Sequence, residues 1–460
     1  MEGTKNWLSD LKLRASYGTV GNNRIASTLY MLTYSTATTK AYGVGDIPNV
    51  YYAGNSLLPN PDLTWETTIT RNLGLDFDIL RGRFTGTVEG YWNSAKDLLI
   101  ERAIVAPGYK TTMENTAETS NKGIEGNIIA YIVEKKDFSF SANFNIGYNK
   151  SNVEKLANGL NEMTFSSNWA STDNKNVNDF LVRVGMPVGQ MVGWQVDMND
   201  PYYTTDDFSG YADGKYILKD GVATTGLLGG KAGIRPGTIK LKDISGPNGV
   251  PDGIVDSYDL GVIGCAQPKL TGGFGFNMTW KGFDLSTMFN FVWGNKVLNA
   301  DKIASCQQYR VSYPNLLDIM SSDHRYTYIN GDGELVTDLA ELKAMNETGA
   351  NKKDIWTPWS FGNANIVPTD WAVEDGSYLR LQNVTLGYTL PEKLTQKIYC
   401  RQLRLYTTLN NVFVLTRYTG YDPEVSSAIR GNSASGLTPG VDYSCYPKSF
   451  GITLGANITF

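Results

Sequence analysis

Four carboxylates crowd one stretch of the chain, KDISGPNGVPDGIVDSYD at residues 242–259. Asp252 precedes Gly253, Asp256 and Asp259 follow that glycine by three and six residues, and Asp243 lies upstream. Hard divalent cations take several oxygen ligands around a tight glycine turn, so this spacing could supply a structural Ca2+ site. The competing reading is an acidic loop held by Asx-turns, in which the carboxylates accept N–H groups of the neighbouring backbone. A second group is aromatic. Trp169, Trp356, Trp359 and Trp371, with Tyr202 and Tyr203, fall in long connecting segments. Flat aromatic faces stack on sugar rings and suit capture of a glycan, although the same side chains could pack loops against one another. Catalytic chemistry has little to work with. The only histidine is His324, which rules out HExxH and leaves a His-based triad poorly supported. In GLLGGKAG the first glycine is misplaced for a phosphate-binding loop, and Ala232 stands where Ser or Thr would meet the metal. No catalytic residue is assigned.

The elements that must carry these side chains alternate. In GITLGANITF, Ile452, Leu454, Ala456, Ile458 and Phe460 share one face, with Gly, Thr and Asn on the other. FSFSANFNIGY sets Phe138, Phe140, Ala142, Phe144, Ile146 and Tyr148 against a polar face, and FDLSTMFNFVWG does the same with Phe283, Leu285, Phe289, Phe291 and Trp293. Similar runs occur at Leu11–Tyr17, Trp65–Ile79, Phe84–Trp92, Ile124–Ile132, Gly272–Trp280, Tyr378–Leu390 and Leu403–Leu409, giving about ten strands. The connections alternate as well. Those at 20–64, 94–121, 149–269, 294–377 and 414–449 are long, whereas 80–83, 134–137, 281–282 and 391–401 are short. A soluble sandwich has no reason to sort loop length by rim. A transmembrane barrel has short periplasmic turns on one rim and long extracellular loops on the other. Trp92, Tyr148, Trp280, Trp293 and Tyr388 fall at strand ends, where interfacial girdles lie. Arg71 is a misfit on the outward face of its strand and must sit near the outer rim and snorkel. Glu89, Glu125, Asp284 and Arg404 face the other way and would polarise a lumen.

Composition agrees. Hydrophobic residues make up 41% of the 460, aromatics 12% with 27 Tyr, and there are 48 Gly, a mixture suited to strands and turns. Mean hydropathy is -0.27 and no run of 18 apolar residues exists, which excludes membrane-spanning helices. A net charge of -5 and a pI near 5.2 leave no electrostatic footprint for nucleic acid. Cys265, Cys306, Cys400 and Cys445 are scattered without a CxxC, so neither zinc nor a disulfide scaffold is indicated.

Several long blocks are collinear with one family. NPDLTWETTITRNLGLDFDILRGRFTGTVEGYWNSAKDLL, NKGIEGNIIAYIVEKKDFSFSANFNIGYNKSNVEKL, GSYLRLQNVTLGYTLP and LRLYTTLNNVFVLTRYTGYDPEV resemble, in order and spacing, the barrel portion of SusC/RagA-type TonB-dependent transporters of Bacteroidetes outer membranes. The resemblance covers nearly the whole chain. It implies a barrel of about 22 strands filled by a plug. It also implies energisation through the TonB complex, a SusD-like surface lipoprotein over the mouth, and an oligosaccharide or peptide substrate. The Asp-rich stretch is similar to the family's D-x-N-G-D-G-x-I-D segment, but about five residues inserted between Asp243 and Asp252 break the EF-hand register. LSDLKLRASYGTVGN has the pattern of a mid-barrel strand. Residues 1–460 are therefore expected to be the C-terminal part of the barrel, with signal peptide, plug and TonB-contacting segment outside them. The expected fold is an all-β, antiparallel transmembrane barrel segment with long extracellular loops, placed in outer-membrane lipid. The alternative is a soluble or surface-attached β-rich glycan-binding protein.

Overall fold

The computed structural model describes residues 7–460 apart from 24, 27–28, 44–47, 55, 170–177, 228–232, 308–314, 359–366, 426–435 and 444. Ten antiparallel strands pair in chain order: β1 Leu8–Asn22, β2 Glu66–Ile79, β3 Phe84–Ala106, β4 Tyr109–Lys135, β5 Phe138–Lys155, β6 Leu270–Trp280, β7 Phe283–Trp293, β8 Tyr378–Thr389, β9 Gln402–Thr416 and β10 Gly451–Thr459. β1 and β10 are the two edges of this sheet. Leu57–Leu58 adds a short parallel pairing to β4.

The register carries each outward side chain to the same side of the sheet. Phe144 is level with Ile128 and Phe274, and Phe274 with Phe289. Ring stacking follows, with Phe274 and Phe289 at 4.6 Å between centroids. Most of these side chains are exposed, including Leu73, Leu75, Val88, Ile124, Phe144, Ile452 and Leu454. In water such a wall would be an aggregation surface, whereas hydrocarbon solvates it. Phe138 to Tyr148 rises roughly 34 Å along the strand, or ~24 Å along the membrane normal at a ~45° tilt, which matches the apolar band of an outer-membrane barrel. Both interfaces are marked. Phe138, Trp280, Phe283 and Tyr388 are paired side by side at the short-turn end, and Tyr148 and Trp293 both flank Leu270 at the other. Lys281 lies over the Trp280 ring and Lys269 over the Trp293 ring, at 5.7 and 6.0 Å. Arg71 sits as expected near the outer rim. Its guanidinium lies over the Tyr17 ring and donates to the Trp92 carbonyl and the Ser94 hydroxyl.

Two expectations about the strands need correction. Residues 94–121 are not a loop: β3 and β4 run on for 23 and 27 residues and close in a turn at Pro107–Gly108, with Gly108 at φ 84°. Beyond Trp92 the hairpin rises out of the lipid belt and packs partly on neighbouring segments, with Ile100 against Val153, Leu156 and Val182 and Ala117 buried, so the apolar-polar alternation stops while the strands continue. The Tyr378–Leu390 run is not a single alternating strand either. Leu379 and Leu381 share the outward face with Val384, Leu386 and Tyr388 because the ladders shift register at Gln382. A bulge of one residue reverses the parity.

The polar face of β10 has its own reason for glycine. A Cβ at Gly455 would overlap the Tyr406 ring lying across it.

Among the described apolar residues that are buried, only Ala117, Val153, Tyr378 and Leu381 belong to the ten strands. The others lie in the connections, chiefly those at the outer rim, and build a cap with a core of its own. One cluster joins Trp194, Tyr202, Ile239 and Val255 of the β5–β6 connection to Met320, Tyr326, Leu342, Ile355 and Trp356 of the β7–β8 connection. A second joins Phe180 and Met191 to Leu298 and Ile303, and adds Val441 from the β9–β10 connection. Four short strands, Glu162–Phe165, Phe180–Arg183, Gln190–Gly193 and Gly261–Cys265, form a small antiparallel sheet within it. Two helices, α1 Ala300–Gln307 and α2 Leu339–Asn346, complete it, with Asp338 accepting from the Glu341 N–H to cap α2. The cap is tied to the wall by Arg380 of β8, which donates to Asp422 at 2.5 Å in a pair almost wholly buried. None of the four cysteines forms a disulfide among the described residues.

Candidate functional site

The lumen side of the sheet is the first candidate surface. Glu89 faces Glu125 across the β3–β4 ladder, and Glu125 faces Gly147 across the next. With Thr87, Asn127, Asn145 and Thr271 they line a depression of about 580 Å³. Arg14 bridges Asp76 at 2.8 Å and Glu89 at 3.3 Å, while Arg404 grips Asp284 with two hydrogen bonds at 2.8 and 2.5 Å. Such fork-to-carboxylate pairs are rigid and directional. They leave Glu125 with an acidic surface toward the bore and give the wall fixed polar points against which a filling or passing solute can hydrogen-bond. All four lumen charges expected from sequence therefore face the side opposite the apolar wall.

The cap treats the aromatic candidates differently. Trp169, Tyr202, Tyr203 and Trp356 are no more than 5% exposed. Trp169 packs on Tyr443, and Trp356 meets the half-buried Trp371 edge-on at 4.9 Å. The Tyr202 hydroxyl donates to the Lys353 carbonyl and the Tyr203 hydroxyl to the Ala223 carbonyl. Burial pushes the Tyr202 hydroxyl pKa up to about 12 and the Tyr203 hydroxyl higher still. A sugar ring has no open face to stack on at these four positions, so they hold the loops together. Trp371 carries the Lys302 ammonium 4.0 Å from its ring centroid. Trp359 lies outside the described residues, as does most of the GLLGGKAG stretch.

The Asp-rich stretch also works on its own backbone. Asp259 is fully buried; its Oδ1 accepts from the Ile244 and Ser245 N–H groups and its Oδ2 from that of Asp256. Asp243 accepts from the Gly253 N–H, Asp252 from that of Ile254 and Asp256 from that of Tyr258. Glycine is needed at position 253, where φ is 85°. Among the described residues, no three His, Cys, Asp or Glu side chains converge as a cation site. His324 pairs with Asp354 at 3.1 Å on the exposed surface.

A closed strip of polar side chains was not legible beforehand. Lys302 donates to Glu374 at 3.1 Å, and Glu374 also accepts from the Thr419 N–H and hydroxyl, so the β7–β8 and β9–β10 connections are locked together. Its members are scattered through the chain, and only the fold reveals that they meet.

Apolar wall, polar bore, paired girdles and a cap raised on alternate connections are now placed, and a family model agrees with them. It describes the TonB dependent receptor-like β-barrel and matches residues 5–412. The chain belongs to this family. It is 28% identical over 468 aligned positions to TonB-dependent receptor P3 of Formosa agariphila, covering 99% of this chain and 40% of that protein. To TonB-dependent receptor SusC of Bacteroides thetaiotaomicron it is 25% identical, covering 99% of this chain and 38% of that protein. The RagAB peptide importer in its closed-closed state shares the fold, with a TM-score of 0.68 at 21% identity, over 99% of this chain and 41% of that one. The chain thus spans about two-fifths of the length of these curated relatives. As a member of the TonB dependent receptor-like β-barrel family, it is an outer-membrane protein.

Proposed function

We propose that this chain forms part of the wall and outer cap of a receptor that takes up an oligosaccharide or peptide nutrient across the outer membrane. Uptake is energised through the TonB complex, and a SusD-like surface lipoprotein works with the cap to capture the substrate. The observation that carries this reading is the division of one sheet into an apolar outer wall and a charged inner wall, crowned at one rim by a folded cap. A soluble glycan-binding protein would have no use for an exposed belt of Leu, Ile and Phe bordered by two aromatic girdles. RagAB, which shares the fold, is a peptide importer, and that supports an uptake role. The test is accumulation of fluorescent oligosaccharides and peptides by cells producing the complete receptor, with TonB present or deleted. Accumulation that needs both receptor and TonB is expected; accumulation indifferent to TonB would overturn the reading.

A further inference from the structure

One cavity of the cap, of about 620 Å³, lies between α1 and the β9–β10 connection, and its lining includes Asp442, Tyr421 and Tyr446. Asp442 is 1% exposed. Its Oδ2 accepts from the Tyr418 hydroxyl at 2.5 Å, but its Oδ1 has no hydrogen-bond partner among the described residues. A buried carboxylate oxygen left unpaired is costly, and a cationic hydrogen-bond donor is the group that best relieves it. The cation already on the lining cannot serve, because the Lys302 ammonium is committed to the Trp371 carbonyl and to Glu374. Tyr421 and Tyr446 are 71% and 90% exposed and make no hydrogen bond or ring contact among the described residues. Aromatic faces beside an acidic group attract an ammonium or guanidinium and cover the methylenes behind it.

We propose that this cavity receives a basic side chain of a peptide substrate, with Asp442 as counter-charge and Tyr421 and Tyr446 flanking the alkyl stem. The proposal rests on the uptake reading and narrows its substrate to peptides that carry Lys or Arg. A neutral saccharide could donate hydroxyls but would leave the buried charge uncompensated.

The test is calorimetry on the complete receptor in detergent, with acetyl-Ala-Lys-Ala-amide, the same peptide bearing Gln for Lys, and maltotetraose. The Lys peptide should bind at least ~10-fold more tightly than the Gln peptide, and Asp442→Asn should remove that difference. Tyr446→Ala, at a surface position that folding does not need, should weaken Lys-peptide binding about 3-fold. It keeps the proposal testable if Asp442→Asn fails to fold. Equal affinity for the two peptides, Lys-peptide binding that ignores both substitutions, or maltotetraose binding with the same sensitivity to Asp442→Asn would overturn it. TonB-dependent accumulation measured alongside separates the two readings: its survival when the pocket variants change nothing would sink the pocket alone.

Discussion

The wall and the cap of this receptor solve the burial problem in opposite ways. In the wall, side chains such as Phe144 and Leu454 stay exposed and rely on lipid to cover them, and backbone ladders hold the strands together. In the cap, Trp356, Tyr203 and Phe180 are covered by protein, and long-range packing replaces regular pairing. The contrast shows that an apolar residue has no single meaning along this chain. On a period of two it marks lipid contact; off that period it marks a core assembled from distant loops.

The largest expected effect is in the cap. Trp356→Ala removes a fully buried indole, and losses of this kind cost about 3–5 kcal/mol. Protease added to intact cells should then cut the cap, while the heat-modifiable wall still assembles. Failure of assembly as well would show that the two regions fold as one unit.

The wall is probed next by its register. Phe144→Arg places a charge on the lipid face near the middle of β5 and should cost about 2–4 kcal/mol, read as reduced outer-membrane assembly. Asn143→Arg, one residue away on the lumen face, should be tolerated better. Equal tolerance would break the assignment of faces.

Acidity distinguishes the regions in a third way. Asp179, buried in the cap, accepts from the Ser167 N–H and hydroxyl, yet desolvation pushes its pKa from 3.8 up to about 6. The folded cap therefore holds this proton more tightly than the unfolded chain does. Its stabilising contribution is fully present below about pH 4 and is lost as pH rises through about 6, a change of about 2–3 kcal/mol. Thermal unfolding of the cap, followed by proteolysis from pH 4 to 7, should show this decline, and Asp179→Asn should flatten it.

The smallest effects concern the Asp-rich loop. Asp259→Ala strands three N–H groups and should cost about 2 kcal/mol in the cap. Chelation with EDTA should leave the melting temperature of the cap unchanged, since these carboxylates already serve the backbone. A marked drop on chelation would show a bound cation in the loop.

How much was legible follows from how far each signal reaches. Strand parity over most of the sheet, the sorting of loop lengths apart from 94–121, the strand-end positions of Trp280, Trp293 and Tyr388, the lumen charges and the rim position of Arg71 were readable, because a strand exposes alternate residues to two different solvents. The hairpin beyond Trp92 escaped for the same reason: outside the lipid belt its residues meet water and neighbouring loops on no fixed period, so no alternation is imposed. Gln382 escaped because a one-residue bulge breaks the phase without ending the strand.

The amino-acid sequence by itself thus determined the wall, since each residue's side is set by neighbours two positions away. Only the tertiary structure decided the cap. Val441 meets Met191, Asp422 pairs with Arg380, and Glu374 collects Lys302 and Thr419, all across long stretches of chain with no common period. Whether Trp356 stacks on a ligand or fills a core, and whether Tyr421 and Tyr446 are left uncovered, depends on which loops close over them. That is a property of packing between remote segments, and no local pattern records it.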